Sequence, residues 1–173
     1  MIVLLYATRH GSTAKIARVI DTYLDQTCVL MNLEEMHRPV LEKATTIVLG
    51  MPVYYGELEP AMVSFVKDNW DFLKTKNPSL YVVGLQYTEF MRFVTDVFDY
   101  DILKDMNVIA GLGGALYYPK LSLQERMILR VMNKRIPVIP KEHNELMYEN
   151  FNNEEIAVFA KKIRRIEKEQ AGE

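Results

Sequence analysis

Short apolar runs alternate with amphipathic segments along most of this 173-residue chain. Five runs have the continuous aliphatic character of strands that are buried on both faces. They cover residues 2–6, 28–33, 45–49, 80–85 and 108–110. Segments 12–24, 59–72 and 90–103 lie between strands and are predicted to be helical, and a last helix is predicted over 153–169.

The alternation of strands and helices determines the predicted fold class. It indicates an α/β protein with a parallel sheet covered by helices on both faces, and the length suits one domain over 1–173. We expect five strands in the doubly wound order 2-1-3-4-5. Such sheets bind ligands at the carboxyl ends of their strands, where the order reverses between strands 1 and 3. Loops 7–13, 51–57 and 85–89 should therefore lie side by side.

The first of these loops, ATRHGST, has the chemistry of an anion site. The free N–H groups of a helix N-terminus attract phosphate, and hydroxyls at Thr8, Ser12 and Thr13 would add donors. Gly11 would let the backbone come close to the ligand. The simpler alternative is that Ser12 or Thr13 only caps the helix.

The second loop is aromatic and the third is polar and aromatic. A flat ring could stack on Tyr54 or Tyr55 in GMPVYYG, and Gln86 and Tyr87 follow the fourth strand. The alternative is that one tyrosine covers the core and the other lies at the surface. Together, the three loops indicate a nucleotide with a planar ring and a phosphate.

Composition and motifs exclude several other functions. The net charge of −2 predicts no nucleic-acid partner, and no G-x-x-x-x-G-K-[ST] or G-x-G-x-x-G motif is present. The three histidines and single cysteine form no cluster along the chain, so we expect no metal site and no internal disulfide. A cytoplasmic location follows as the expectation, because the N-terminus lacks the features of a signal peptide.

Three stretches resemble known families. TRHGST resembles the flavodoxin phosphate loop [ST]-x-[ST]-G-x-T, with His10 in place of a hydroxyl residue. GMPVYYG is similar to the G-T-P-x-x-[FY]-G loop of related quinone reductases. VIAGLGGALYYPKLSLQERMILRVMNK resembles the flavodoxin-fold, menaquinone-dependent protoporphyrinogen dehydrogenases, which use FMN, pass electrons to quinones and associate with the membrane.

The resemblance implies a flavodoxin-like three-layer sandwich and an FMN-dependent oxidoreductase that oxidises protoporphyrinogen IX with a quinone as acceptor. The flavin would carry the chemistry, so no side chain is assigned a catalytic role. The alternatives are a soluble flavodoxin-like carrier with a redox protein as partner, and a domain that has lost its cofactor. The residues expected to bind FMN are Thr8, Arg9, His10, Gly11, Ser12, Thr13, Pro52, Val53, Tyr54, Tyr55, Gly56, Gln86 and Tyr87.

A basic insertion over about 118–144 interrupts the region of the last strand. Residues 120–143 carry six Lys or Arg and two acids, a local charge of +4. Ser122 and Glu125 form a capping-box pattern, and the helix after them is apolar on one side and basic on another. This helix could bind the anionic inner face of the cell membrane, with Arg126 and Arg130 facing lipid or substrate carboxylates. Alternatively, it could simply pack on its own domain.

Overall fold

A parallel sheet forms the centre of the protein in the computed structural model, which describes residues 1–140 and 146–172. Its strands run in the order β2-β1-β3-β5-β6, with the two-residue strand β4 antiparallel to the end of β3. The predicted order 2-1-3-4-5 of the parallel strands is confirmed. The strands of the described residues are β1 (Ile2–Tyr6), β2 (Val29–Asn32), β3 (Thr46–Tyr54), β4 (Glu57–Leu58), β5 (Ser79–Val83), β6 (Ile109–Gly111), β7 (Gly113–Tyr117) and β8 (Met147–Phe151).

Helices cover both faces of the sheet, so the predicted three-layer architecture is confirmed. Alternate residues of β1 enter two separate cores: Val3 and Leu5 face one, and Ile2 and Leu4 face the other. The first core is completed by the second to sixth helices and the second by the first and last helices. The helices are α1 (Ser12–Tyr23), α2 (Arg38–Lys43), α3 (Pro60–Asp68), α4 (Trp70–Leu73), α5 (Phe90–Thr95), α6 (Tyr100–Leu103), α7 (Leu123–Arg135) and α8 (Asn153–Ala171).

Two helices predicted as continuous are broken by side chains that compete with the backbone for hydrogen bonds. The helix predicted over 59–72 divides at Asn69, whose amide donates to the carbonyl of Phe65 at 2.9 Å. The helix predicted over 90–103 divides before Asp99, whose carboxylate accepts the N–H of Ile102 and caps α6. The sequence pattern predicted that both segments are helical but did not predict where each helix is interrupted.

The third strand ends five residues later than predicted and turns back through a tight hairpin. β3 continues to Tyr54 and pairs with β4 across Tyr55 and Gly56, which have φ angles of +56° and +88°. Two successive positive φ angles are typical of a type I′ turn, which suits the twist of a hairpin. Most of the expected loop 51–57 is therefore strand, with two residues at its tip.

The basic insertion lies between β7 and β8 in the chain. These two strands form a separate antiparallel sheet. A Cβ on Gly114 would lie 2.4 Å from the carbonyl carbon of Gly84, so glycine permits β7 to pass close to the end of β5. The predicted helix is present as α7; residues 141–144 of the predicted insertion fall outside the described residues. No helix in the described part of the chain is long and apolar enough to cross a membrane.

Candidate functional site

The loop between β1 and α1 presents a helix N-terminus without a side-chain cap. Gly11 is the N-cap residue and adopts φ +96°, a conformation that glycine reaches without strain. Its N–H donates to the Thr8 hydroxyl at 2.9 Å, which closes the loop. Ser12 and Thr13 are the first residues of α1, and neither caps it as the alternative had suggested. The first turn of α1 is therefore suited to hold an anion.

Thr13 provides a test of whether this loop suits a phosphate. Its side chain is fully buried, and within the described residues its hydroxyl has no hydrogen-bond partner. A buried hydroxyl without a partner costs free energy and needs an explanation such as a missing ligand atom. A phosphate oxygen at the first turn of α1 would supply the missing acceptor, so the residues present fit an anionic group.

Arg9 and His10 of this loop each contact a carboxylate. The Arg9 guanidinium lies 2.8 Å from Glu59 and 4.6 Å from the centre of the Tyr54 ring. The ring nitrogen Nε2 of His10 lies 2.9 Å from Oε1 of Glu125 in α7. Both side chains therefore connect the loop to neighbouring elements, and their contribution to phosphate binding stays a prediction.

The two tyrosines of the second loop differ in environment. The Tyr54 hydroxyl accepts the backbone N–H of Arg9 at 2.8 Å, and burial raises its pKa. Tyr55, at the hairpin tip, is more exposed, and its pKa is raised by partial burial and by the nearby carboxylate of Glu125. Tyr54 thus braces the first loop against the second, and Tyr55 reaches toward the insertion.

A cavity of about 100 Å³ lies between the loops and is walled on its remaining side by the insertion. Leu121, Leu129, Met132 and Val138 supply that wall. Eight of the thirteen predicted residues line the cavity, namely His10, Ser12, Pro52, Val53, Tyr54, Tyr55, Gly56 and Gln86. The others lie beside it: Thr8, Arg9, Gly11 and Thr13 in the first loop, and Tyr87 at the start of a short 3₁₀ helix after β5.

Sequence reasoning missed the part that the insertion plays in this site. Glu125 was predicted only as a helix cap, and it does form both bonds of the capping box with Ser122. It also contacts His10 in the phosphate loop. The Ser122 N–H is the main cause that lowers the pKa of Glu125 to about 2, with further contributions from the Ser122 hydroxyl, His10 and Tyr55. Spacing along the chain contains no signal for a contact over 115 residues.

Comparison with known proteins identifies the family. The model of the family described as Flavodoxin domain matches residues 3–136. This chain belongs to the flavodoxin-domain family. The predicted family resemblance is confirmed, and so is FMN as the cofactor expected from it, since flavodoxin-like sheets hold FMN at the switch point between their first and third parallel strands. In this flavodoxin-domain protein those strands are β1 and β3, whose following loops form the cavity described above.

Two relatives of this chain share one name. The chain is 25% identical to protoporphyrinogen IX dehydrogenase [quinone] of Escherichia coli K12 over 169 residues, 92% of each chain. It is 23% identical to the Leishmania major protein of that name over 76% of this chain and 61% of the relative. Flavodoxin 2 from Bacillus cereus, in its oxidised form, shares the fold with a TM-score of 0.57 and 21% identity over 95% of this chain and 97% of the other.

Proposed function

We propose that this flavodoxin-domain protein is an FMN-dependent oxidoreductase that dehydrogenates protoporphyrinogen IX and delivers the electrons to a quinone. The observation that carries the proposal is the length of the match to the Escherichia coli dehydrogenase, which extends over 92% of both chains. A match of that extent includes the insertion as well as the sheet, so it covers the feature that separates this chain from a minimal doubly wound domain.

The protein's part in this reaction is to bind and orient the cofactor. When bound, FMN supplies the ability to accept electrons from one partner and release them to another. We assign the phosphate to the first turn of α1, where Ser12 and Thr13 provide hydroxyl and amide donors, with the Thr8 hydroxyl and Gly11 in the loop before it. Arg9 would add positive charge near it, reduced by its carboxylate partner, and His10 would lie beside the same group.

The ring would lie in the cavity between the second and third loops. Pro52, Val53, Tyr54, Tyr55 and Gly56 form one wall, and Gln86 borders the other side with Tyr87 next to it. The apolar side chains of the insertion would exclude water from the ring. Exclusion of water protects reduced intermediates from side reactions and strengthens nearby electrostatic interactions.

We further propose that α7 attaches the protein to an anionic membrane surface, where a quinone is found. Leu123, Met127 and Val131 follow each other at helical spacing and are 81%, 68% and 51% exposed. Arg130 and Lys134 share that outer side and are exposed as well. Each basic residue near an anionic surface contributes on the order of 1 kcal/mol, and the exposed apolar side chains would add to it.

Activity is tested with purified protein in two steps. Denaturation should release FMN, identified by its absorbance and chromatographic mobility. The holoprotein should then oxidise protoporphyrinogen IX under anaerobic conditions with menadione as acceptor, followed by porphyrin fluorescence. A yellow protein without this activity would favour an electron carrier, and a colourless protein that does not bind added FMN would favour a domain without cofactor.

Membrane attachment is tested by flotation with vesicles that contain anionic lipid. We expect the wild type to float and the double variant Arg130→Glu/Lys134→Glu to remain at the bottom. The double variant Lys161→Glu/Lys162→Glu is the matched control, because it changes the same charge in α8, outside the insertion. Equal flotation of all three proteins would rule out attachment through α7.

A further inference from the structure

Glu125 connects three segments that are far apart in the chain. Its carboxylate accepts the N–H of Ser122 at 2.7 Å and lies 2.9 Å from His10 of the phosphate loop. The Tyr55 hydroxyl, at the tip of the ring-side hairpin, also acts on this carboxylate. A second contact joins the insertion to the phosphate loop, because Nζ of Lys120 donates to the carbonyl of His10 at 3.0 Å. The start of α7 is thus attached to the phosphate loop and lies close to the ring-side hairpin.

The side of α7 that bears Glu125 covers the cavity. Leu129 and Met132 follow Glu125 by four and seven residues, so all three lie on one side of the helix, and both apolar side chains line the cavity. The cavity of about 100 Å³ is smaller than the roughly 300 Å³ at which small-molecule sites begin. The cavity would therefore have to widen to admit a flavin ring, and outward movement of this side of α7 would widen it.

The helix is attached weakly enough for such a movement. None of the 13 residues of α7 is fully buried. An isolated helix of that length is marginally stable in water, so its position depends on the few contacts it makes with the domain. Glu125 lies in its first turn and Lys120 three residues before it, and the opposite end carries exposed basic residues.

We propose that α7 is a movable cover over the cofactor pocket and that Glu125 is the positioning residue that latches it to the phosphate loop. The proposal rests on FMN binding, as argued above. With the latch closed, the cover holds Leu129 and Met132 against the pocket. With the latch open, the pocket admits or releases the cofactor.

The first test is the association of FMN with apoprotein, followed by stopped-flow quenching of flavin fluorescence. In the wild type the observed rate should level off at high FMN, because opening of the cover becomes limiting. Glu125→Ala should raise this plateau and the dissociation rate by about tenfold, as expected for loss of hydrogen bonds to a charged group. Glu125→Gln, which suits the capping box, should restore part of the wild-type behaviour.

Two controls separate the latch from other effects. Ser122→Ala removes the hydroxyl that caps α7 and leaves the contact of Glu125 with His10, so its rates should resemble those of the wild type. Tyr117→Phe removes a similar tyrosine–carboxylate bond, to Glu149 at 2.6 Å, on the β7–β8 pair and should have no effect. Equal rates in wild type and Glu125→Ala, or equal effects of Ser122→Ala and Glu125→Ala, would overturn the proposal.

A second test does not depend on flavin. Trypsin cleaves after Arg126, Arg130 and Lys134 on α7, and unlatching should speed this cleavage several-fold in the apoprotein of Glu125→Ala relative to the wild type and Ser122→Ala. Faster cleavage without any FMN binding would refute the proposed cofactor and retain the latch. Normal FMN binding with unchanged cleavage and unchanged rates would refute the latch alone.

Discussion

Replacement of Thr13 by valine should weaken FMN binding without lowering the stability of the apoprotein. The side chain is fully buried, and in the described structure its hydroxyl has no partner. Without ligand, valine removes a buried hydroxyl that is already unsatisfied, so the unfolding free energy should stay the same or rise by about 1 kcal/mol. With FMN, the same change removes a hydrogen bond to a charged phosphate, worth about 1.5–3 kcal/mol, or a 10- to 150-fold weaker Kd.

Both effects can be measured on the same preparation. Urea denaturation of the apoprotein gives the unfolding free energy, and quenching of flavin fluorescence gives the Kd. Ser79→Ala is the matched control, because Ser79 also has a fully buried hydroxyl without a partner in the described structure but begins β5 at the opposite end of that strand from the site. If Thr13→Val destabilised the apoprotein by more than 1 kcal/mol and left the Kd unchanged, Thr13 would have a purely structural role.

Three further outcomes follow from backbone conformation and charge. Gly56→Ala should destabilise the protein by about 1 kcal/mol in urea denaturation, because φ is +88° and no atom lies near the added methyl group. Gly114→Ala should lower the free energy of unfolding by clearly more than Gly56→Ala in the same assay, since the new Cβ would lie 2.4 Å from the backbone of Gly84. Because folding lowers the pKa of Glu125 from 4.5 to about 2, the ionised carboxylate stabilises the fold fully above about pH 4.5. This stabilisation is lost as the pH falls toward about 2. The stability difference between wild type and Glu125→Gln should therefore shrink as the pH falls from about 5 toward 2; a difference that stays constant over this range would contradict this assignment.

The sheet and the loops at its edge could be predicted from sequence because they depend on local pattern. Continuous apolar runs mark strands covered on both faces, and the doubly wound order then places loops 7–13 and 85–89 and the end of β3 together. The breaks at Asn69 and Asp99 could not be predicted, because each depends on one side-chain hydrogen bond that the apolar spacing does not reveal. The extension of β3 to Tyr54 depends on the hairpin at Gly56, whose turn signal is weak without asparagine or aspartate before the glycine.

The long-range part of the site shows a different limit. The amphipathic pattern of α7 predicted one broad apolar side, whereas the structure divides those side chains between two sides. Leu129 and Met132 line the cavity, and Leu123 and Met127 are exposed. Hydropathy alone cannot distinguish these positions, because the division depends on where the first turn of the helix is attached.

This division gives the charge asymmetry of the chain a mechanistic meaning. Residues 120–143 carry +4 and the remainder of the chain carries −6, so an anionic membrane attracts the insertion and repels the body of the domain. This attraction and repulsion would orient the protein with the outer side of α7 toward the lipid. The cavity would then lie directly beneath the helix. A quinone from the membrane would then meet the protein at the element that covers the cofactor pocket. Contact with the membrane and access to the pocket would both depend on α7, and Glu125 would connect that helix to the loops that hold FMN.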